Sequence, residues 1–255
     1  MKLNRTMKAT MTLVSMSVAT GLNHQVYAAV VTTGCVDLSS CSMAELFAGG
    51  TITVNDKKFS EFSLEFTAPF SAVPDFSKVN VSGLDDGNAD PGPGLRVSSS
   101  SEFLIGGLDV MNFGYRFKAD VLDPQWAIKD NSLTVATADY VMTSGGPRWE
   151  VNETVNDTQL NVLGSKQVFA DAFLGTSRLS DDAIFAPQTS LLVGTNVYLE
   201  GFDTGDSAQL FAFEQRFSQV LVPLPAPLVL LSTGIAGLIG LLRRSTSAPE
   251  FPALS

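Results

Sequence analysis

From Thr51 to Val222 the apolar residues fall in short runs at every second position, separated by clusters of Gly, Asn, Asp and Pro. Side chains alternate between the two faces of a strand, so this period predicts strands with one buried face. Ile52 and Val54, then Phe62, Leu64 and Phe66, read as a hairpin whose turn is Asn55, Asp56 and Lys57. The alternation returns at Val79 and Val81, at Met111, Phe113, Tyr115 and Phe117, and at Leu133, Val135 and Thr137. It continues through Trp149 and Val151, Leu160 and Val162, Val197 and Leu199, and Leu210 to Val222. No long helical period lies between these runs, so parallel βαβ units are not expected. The pattern predicts an all-β fold, an antiparallel β-sandwich, and a body of about 190 residues suits a single such domain. One short helix precedes the strands. Ser42 and Glu45 stand at capping-box spacing, and Gly49 and Gly50 would end the helix.

The two ends break the alternation. Lys2, Arg5 and Lys8 precede a moderately apolar stretch, Ala9 to Leu22, and Val26, Tyr27 and Ala28 place small residues where a signal peptidase reads, so residues 1–28 read as a secretory signal peptide cut after Ala28. At the other end, no charged residue occurs from Phe217 to Leu242, and the apolar run from Leu224 to Leu242 approaches the roughly 20 residues a helix needs to cross a bilayer. Gly234, Gly237 and Gly240 recur along it at the spacing at which small residues let another membrane helix approach. Arg243 and Arg244 follow, and the positive-inside rule holds that end in the cytoplasm with everything upstream outside. The chain then divides into a signal peptide (1–28), an exported body (29–221), a proline motif with its membrane helix (222–244) and a short tail (245–255).

Val222, Pro223, Leu224, Pro225 and Ala226, with the apolar helix and the pair Arg243 and Arg244, resemble the VPLPA variant of the PEP-CTERM sorting signal of exported proteins in Gram-negative bacteria. The resemblance implies transit through the inner membrane and processing by a membrane-embedded exosortase, which removes the helix near the prolines. It further implies delivery of the body to the cell surface, with exopolysaccharide as a partner. The opening of the body, from Gly34 to Phe62, is similar to the start of other secreted bodies that carry this signal, which implies a shared fold.

Composition narrows the chemistry. The chain has one histidine, His24, and it lies in the signal peptide, so the exported body has neither a histidine general base nor an imidazole metal ligand. Cys35 and Cys41 are the two cysteines, and in an oxidising compartment a pair this close most simply forms one small-loop disulfide. With a formal net charge of −10 and its lysines and arginines scattered singly, the chain is a poor partner for nucleic acid, which needs concentrated positive charge. The 45% hydrophobic content and 17 phenylalanines are enough to build a core.

Three candidate sites remain. Asp85, Asp86, Asn88 and Asp90 put oxygen ligands on a tight loop, as calcium requires, but Pro91 and Val97 stand where an EF-hand has its glycine and its bidentate glutamate. Asp, Asn, Gly and Pro are equally the residues of an unliganded turn. Trp126 and Trp149 are candidate platforms for sugar rings; Trp149 alternates with Val151 and should face the core, whereas Trp126 follows Pro124 in a loop-like stretch. A glycosidase would need two carboxylates within about 5–10 Å. Glu150 and Glu153, three apart on a strand, should point to opposite faces, and Asp181 and Asp182 also diverge. The body reads as non-enzymatic. Its expected role is that of an exported surface or matrix protein, structural or binding; a calcium- or carbohydrate-binding adhesion module is the alternative and a carboxylate-based glycosidase the third reading.

Overall fold

The computed structural model describes residues 30–85, 89–143 and 146–222. Among these described residues, seventeen strands, in chain order, build three antiparallel sheets. The first part of the chain gives β1 (Val31–Thr33), β2 (Ser40–Ser42), the helix α1 (Met43–Phe47), β3 (Thr51–Val54), β4 (Lys57–Thr67), β5 (Asn80–Leu84), β6 (Gly94–Ser98) and β7 (Leu104–Gly106). The middle gives β8 (Val110–Val121), β9 (Trp126–Thr134), β10 (Tyr140–Met142), β11 (Arg148–Asn156) and β12 (Val162–Asp171). The last are β13 (Thr176–Arg178), β14 (Ser180–Gln188), β15 (Ser190–Glu200), β16 (Ser207–Leu210) and β17 (Ala212–Leu221).

Eight strands in the order β1-β3-β4-β8-β15-β11-β12-β13 form the large sheet, six in the order β14-β9-β17-β6-β5-β2 form the facing one, and β10-β16-β7 make a third. The expected antiparallel sandwich is what forms. Phe59 and Phe117 of the large sheet meet Phe217 of the facing sheet with ring centroids 5.4 and 6.3 Å apart, within the range of favourable aromatic pairs. One continuous hydrophobic core takes in Met111, Phe113, Val151, Val197 and Leu199, residues of the alternation read from the sequence, together with Val193.

The amino-terminal part also behaves as expected. Ser42 caps α1: its hydroxyl accepts the Glu45 backbone N–H at 3.2 Å, and the Glu45 carboxylate accepts the Ser42 backbone N–H at 2.7 Å. The bond from the Ser42 backbone, with those from the Val36 backbone and the Ser42 hydroxyl, holds the Glu45 carboxyl below the usual carboxylate range. Gly49, at φ +103, ends the helix in a conformation that favours glycine. Cys35 and Cys41 form the expected disulfide.

The first hairpin differs from its sequence reading. The turn is Asn55 and Asp56, with Asn55 at φ +56, while Lys57 is the first residue of β4 and is fully buried. Glu61, also at φ +56, sits where the β4–β8 register slips between Ser60 and Ser63. A bulge of this kind reassigns the faces downstream of it. Phe62 is therefore buried, and Leu64, opposite the inward-facing Tyr115, keeps the expected face although it is 42% exposed; a second slip, between Leu64 and Phe66, turns Phe66 to the outer face opposite Gly114. Leu160 and Val162 are exposed as well: Leu160, at φ +68, lies in the turn before β12, and Thr137 opens a 3-10 turn instead of continuing β9.

Candidate functional site

The outer face of the large sheet follows from the inner one. Because Phe113, Tyr115 and Phe117 point inward, Asn112, Gly114, Arg116 and Lys118 point outward. Antiparallel register then aligns them with the neighbouring strands. Phe66 of β4 lies opposite Gly114 of β8, Gly114 opposite Asn196 of β15, Asn196 opposite Asn152 of β11, and Asn152 opposite Gln167 of β12. This row carries a ring at one end and three amides beyond a glycine. The next row carries Ser63, Arg116, Gly194, Thr154 and Ser165.

Gly114 is the seat of the Phe66 ring. A Cβ at position 114 would stand 2.4 Å from Phe66 Cε1, closer than any side chain permits, so the ring takes this place over β8 only because glycine is there. The ring still exposes 44% of the residue surface. Beside it a groove of about 240 Å³ is lined by Phe66, Arg116, Asn152, Thr154, Leu192 and Asn196. Its amides are fixed: Asn196 Nδ2 donates to Asn112 Oδ1 at 2.7 Å and to the Phe113 carbonyl at 3.1 Å, and Asn152 Nδ2 donates to Glu150 Oε1. Among the described residues, no donor takes the side-chain oxygen of either Asn152 or Asn196. Charges at the groove are paired, Arg116 with Glu65 at 3.7 Å and Lys118 with Asp120 at 3.2 Å. The hydrogen bond that the Lys118 ammonium donates to Asp120 is the main cause that raises it above its ordinary value.

Further along the same face, the Arg148 guanidinium lies 4.9 Å from the centroid of Tyr198 and pairs with Glu200 at 3.1 Å. Arg178 covers Phe169 at 5.9 Å and pairs with Asp181 at 2.9 Å. Where β12 and β15 end, a larger cleft of about 870 Å³ is lined by Asp171, Phe173, Leu174, Phe202, Asp203 and Asp206. Asp206 is buried and accepts the backbone N–H groups of Phe202 and Asp203 at 2.7 and 2.9 Å, which fixes the loop that presents Phe202. Phe173 and Phe202 remain 77% and 53% exposed. Phe70, on the loop after β4, is held at φ +65 and stands wholly in solvent. An exposed aromatic in a strained backbone conformation is a feature that clusters at binding sites.

The residues singled out from the sequence scatter by comparison. Trp149 is fully buried, packed against Tyr140 at 5.1 Å. Trp126 is half-buried at the start of β9, paired with Leu221 in the facing sheet. Asp203 and Asp206 lie in the β15–β16 connection, which joins two different sheets and not the strands of a hairpin, and they belong to the large cleft. Glu150 is on the outer face and Glu153 in the core, as their spacing requires.

Of the calcium candidates, Asp86 and Asn88 lie outside the described residues. Asp90 pairs with Lys129 at 2.9 Å, and that hydrogen bond draws its carboxyl below the usual range. The Asp85 carboxylate acts on the buried Lys57 ammonium, which is also 3.0 Å from Asp56. Both described carboxylates of the loop thus already face a lysine, and no group of three or more potential metal ligands occurs among the described residues. Val222 closes the described part, its N–H donating to the Gln125 carbonyl at 2.8 Å. Ala28, Pro223, Leu224, Pro225, Ala226, Arg243 and Arg244 lie outside it, and no helix among the described residues is long and apolar enough to cross a membrane.

No protein-family model matches the chain, and no curated protein does. Among solved structures, TmCBM61 in complex with β-1,4-galactotriose is similar at 11% identity, covering 64% of this chain and 90% of that one with a TM-score of 0.25. A DUF4465 family protein from Bacteroides caccae matches at 12% identity over 64% and 76%, with a TM-score of 0.24. The CBM22-1 xylan-binding domain of Xyn10C from Paenibacillus barcinonensis matches at 12% identity over 61% and 95%, with a TM-score of 0.19.

Proposed function

We propose that the body is a non-catalytic carbohydrate-binding β-sandwich whose site is the outer face of its large sheet, centred on Phe66. The observation that carries this reading is the Phe66 ring laid on Gly114 at the head of a row of amides from Asn196, Asn152 and Gln167. A sugar ring has an apolar C–H face and a rim of hydroxyls. It needs a flat apolar surface for the first and fixed donors and acceptors for the second, which is the usual composition of a small-molecule site. Paired charges beside the groove favour an uncharged ligand.

Affinity electrophoresis in gels containing neutral polysaccharides, followed by calorimetry on the retained one, tests this. Phe66→Ala should weaken binding about tenfold, the order expected for one stacked ring, with thermal stability little changed because the ring is already half in solvent. Retention of Phe66→Ala equal to that of the wild type would overturn the assignment.

Export is the other half of the proposal. The signal peptide, the proline motif and the arginine pair support a route across the inner membrane, removal of the helix by an exosortase-type enzyme, and a final place at the cell surface beside exopolysaccharide. Intact-mass measurement of the protein from its host should give a form that begins after Ala28 and ends near Pro225 or Ala226. A surface-exposed form that retains Arg243 and Arg244 would refute processing.

A further inference from the structure

The groove at Phe66 does not stop at Asn152. The residues Asn152 and Thr154 also line a second depression, of about 440 Å³, which reaches Gln167 and Arg178. Gln167 in turn borders a third depression, of about 150 Å³, with Phe169 and Asp171, and Asp171 belongs to the wall of the large cleft that holds Phe173 and Phe202. Four depressions on one sheet face are thus joined end to end through shared side chains.

The dimensions follow from the sheet. Phe66 on β4 and Gln167 on β12 are separated by four strand spacings, about 19 Å, and Gln167 and Asp171 by four residues along β12, about 13 Å, which makes a diagonal of about 23 Å before the cleft begins. Aromatic side chains recur along it at Phe66, Phe169, Phe173 and Phe202. The guanidinium groups beside it are neutralised, Arg178 by Asp181 and Arg148 by Glu200. At the cleft end the carboxylates of Asp171 and Asp203 already accept the backbone N–H groups of Leu174 and Thr204, at 2.8 and 2.6 Å. They offer further acceptors to hydroxyl groups and repel an anion.

We infer that these depressions form one track that takes an extended, uncharged polysaccharide, several sugar rings long, running diagonally from Phe66 to the cleft between Phe173 and Phe202. This rests on the carbohydrate reading above and specifies its ligand. A single sugar or an acidic polymer does not fit: the first would leave most of the rings unused, and the second would meet Asp171, Asp203 and Asp206.

The experiment is a titration of the purified body with cello-, xylo-, manno- and galacto-oligosaccharides of two to six rings, repeated on the Phe173→Ala/Phe202→Ala variant. Both rings are exposed, so this variant should fold. For the series that binds, affinity should climb with each added ring, and the double variant should lose about tenfold or more on the longest chain with no change on the disaccharide. Equal affinity at every length, or a double variant indistinguishable from wild type on the longest chain, would overturn the track and leave the Phe66 site standing. Absence of binding at every length would instead overturn the carbohydrate reading itself.

Discussion

Replacing Lys166 with methionine is expected to remove about 3–5 kcal/mol of stability, the usual cost of stranding one partner of a buried ion pair. Glu153 of β11 and Lys166 of β12 lie directly opposite each other in the register and both point into the core, with their charged atoms 2.6 Å apart and no exposed side-chain surface. The pair is embedded in a network that crosses the sandwich. Lys166 donates to Asn131 of the facing sheet, and Gln215, also of that sheet, donates to Glu153 and, at 2.8 Å, to Thr195. Tyr115 donates to Gln215 at 3.4 Å, and burial pushes its phenol well above the ordinary tyrosine range. In Lys166→Met the Glu153 carboxylate keeps its amide neighbour but loses its counter-charge in a place water does not reach. Glu153→Leu/Lys166→Met, which takes out both charges, should recover most of the loss, because well-packed apolar replacements of a buried pair are often neutral or better. Urea denaturation of the single and double variants separates the two. A single variant that costs less than about 1 kcal/mol would mean that the pair is solvated and that the two sheets do not close over it.

The parts of this molecule legible in its sequence are those set by near neighbours. The alternation in β8, β11 and β15 marks Phe113, Val151 and Val197 as core because a strand buries every second residue whatever its partners. The cap at Ser42 and the disulfide between Cys35 and Cys41 are equally local. What failed to be legible depends on distant partners or on a single backbone angle. Glu61 carries no mark of its left-handed conformation, nor do Leu64 and Phe66 mark the register slip between them that turns Phe66 outward. Lys57 and Lys166 look like surface residues because the groups that receive them, Gln219 and Asn131, come from the opposite sheet. The outer-face row is illegible for the same reason: Asn112 and Asn196 are brought together by register across 84 residues. A signal was present nonetheless. Gly114 and Gly194 interrupt otherwise β-branched and aromatic strands, and a glycine in mid-strand marks a place where something else must come close.

That signal makes Gly114→Leu the sharper probe of binding. An added Cβ would meet Phe66 Cε1 at 2.4 Å and Cδ1 at 2.9 Å, so the ring must leave its seat, and since it is already half in solvent it can do so without unfolding β4. The isobutyl group then occupies the floor that the sugar would use. Losing the ring and the floor together should weaken polysaccharide binding by about 2–3 kcal/mol, roughly a hundredfold, against the tenfold of Phe66→Ala. The thermal midpoint should move little, since replacing a strand glycine on an outer face offsets much of the cost of displacing the ring. The comparison also discriminates between explanations. If Phe66 acted only by packing on the sheet, Phe66→Ala and Gly114→Leu would change stability and leave affinity alone; a Gly114→Leu protein with wild-type affinity would show that the outer face of the large sheet is not where the sugar lies.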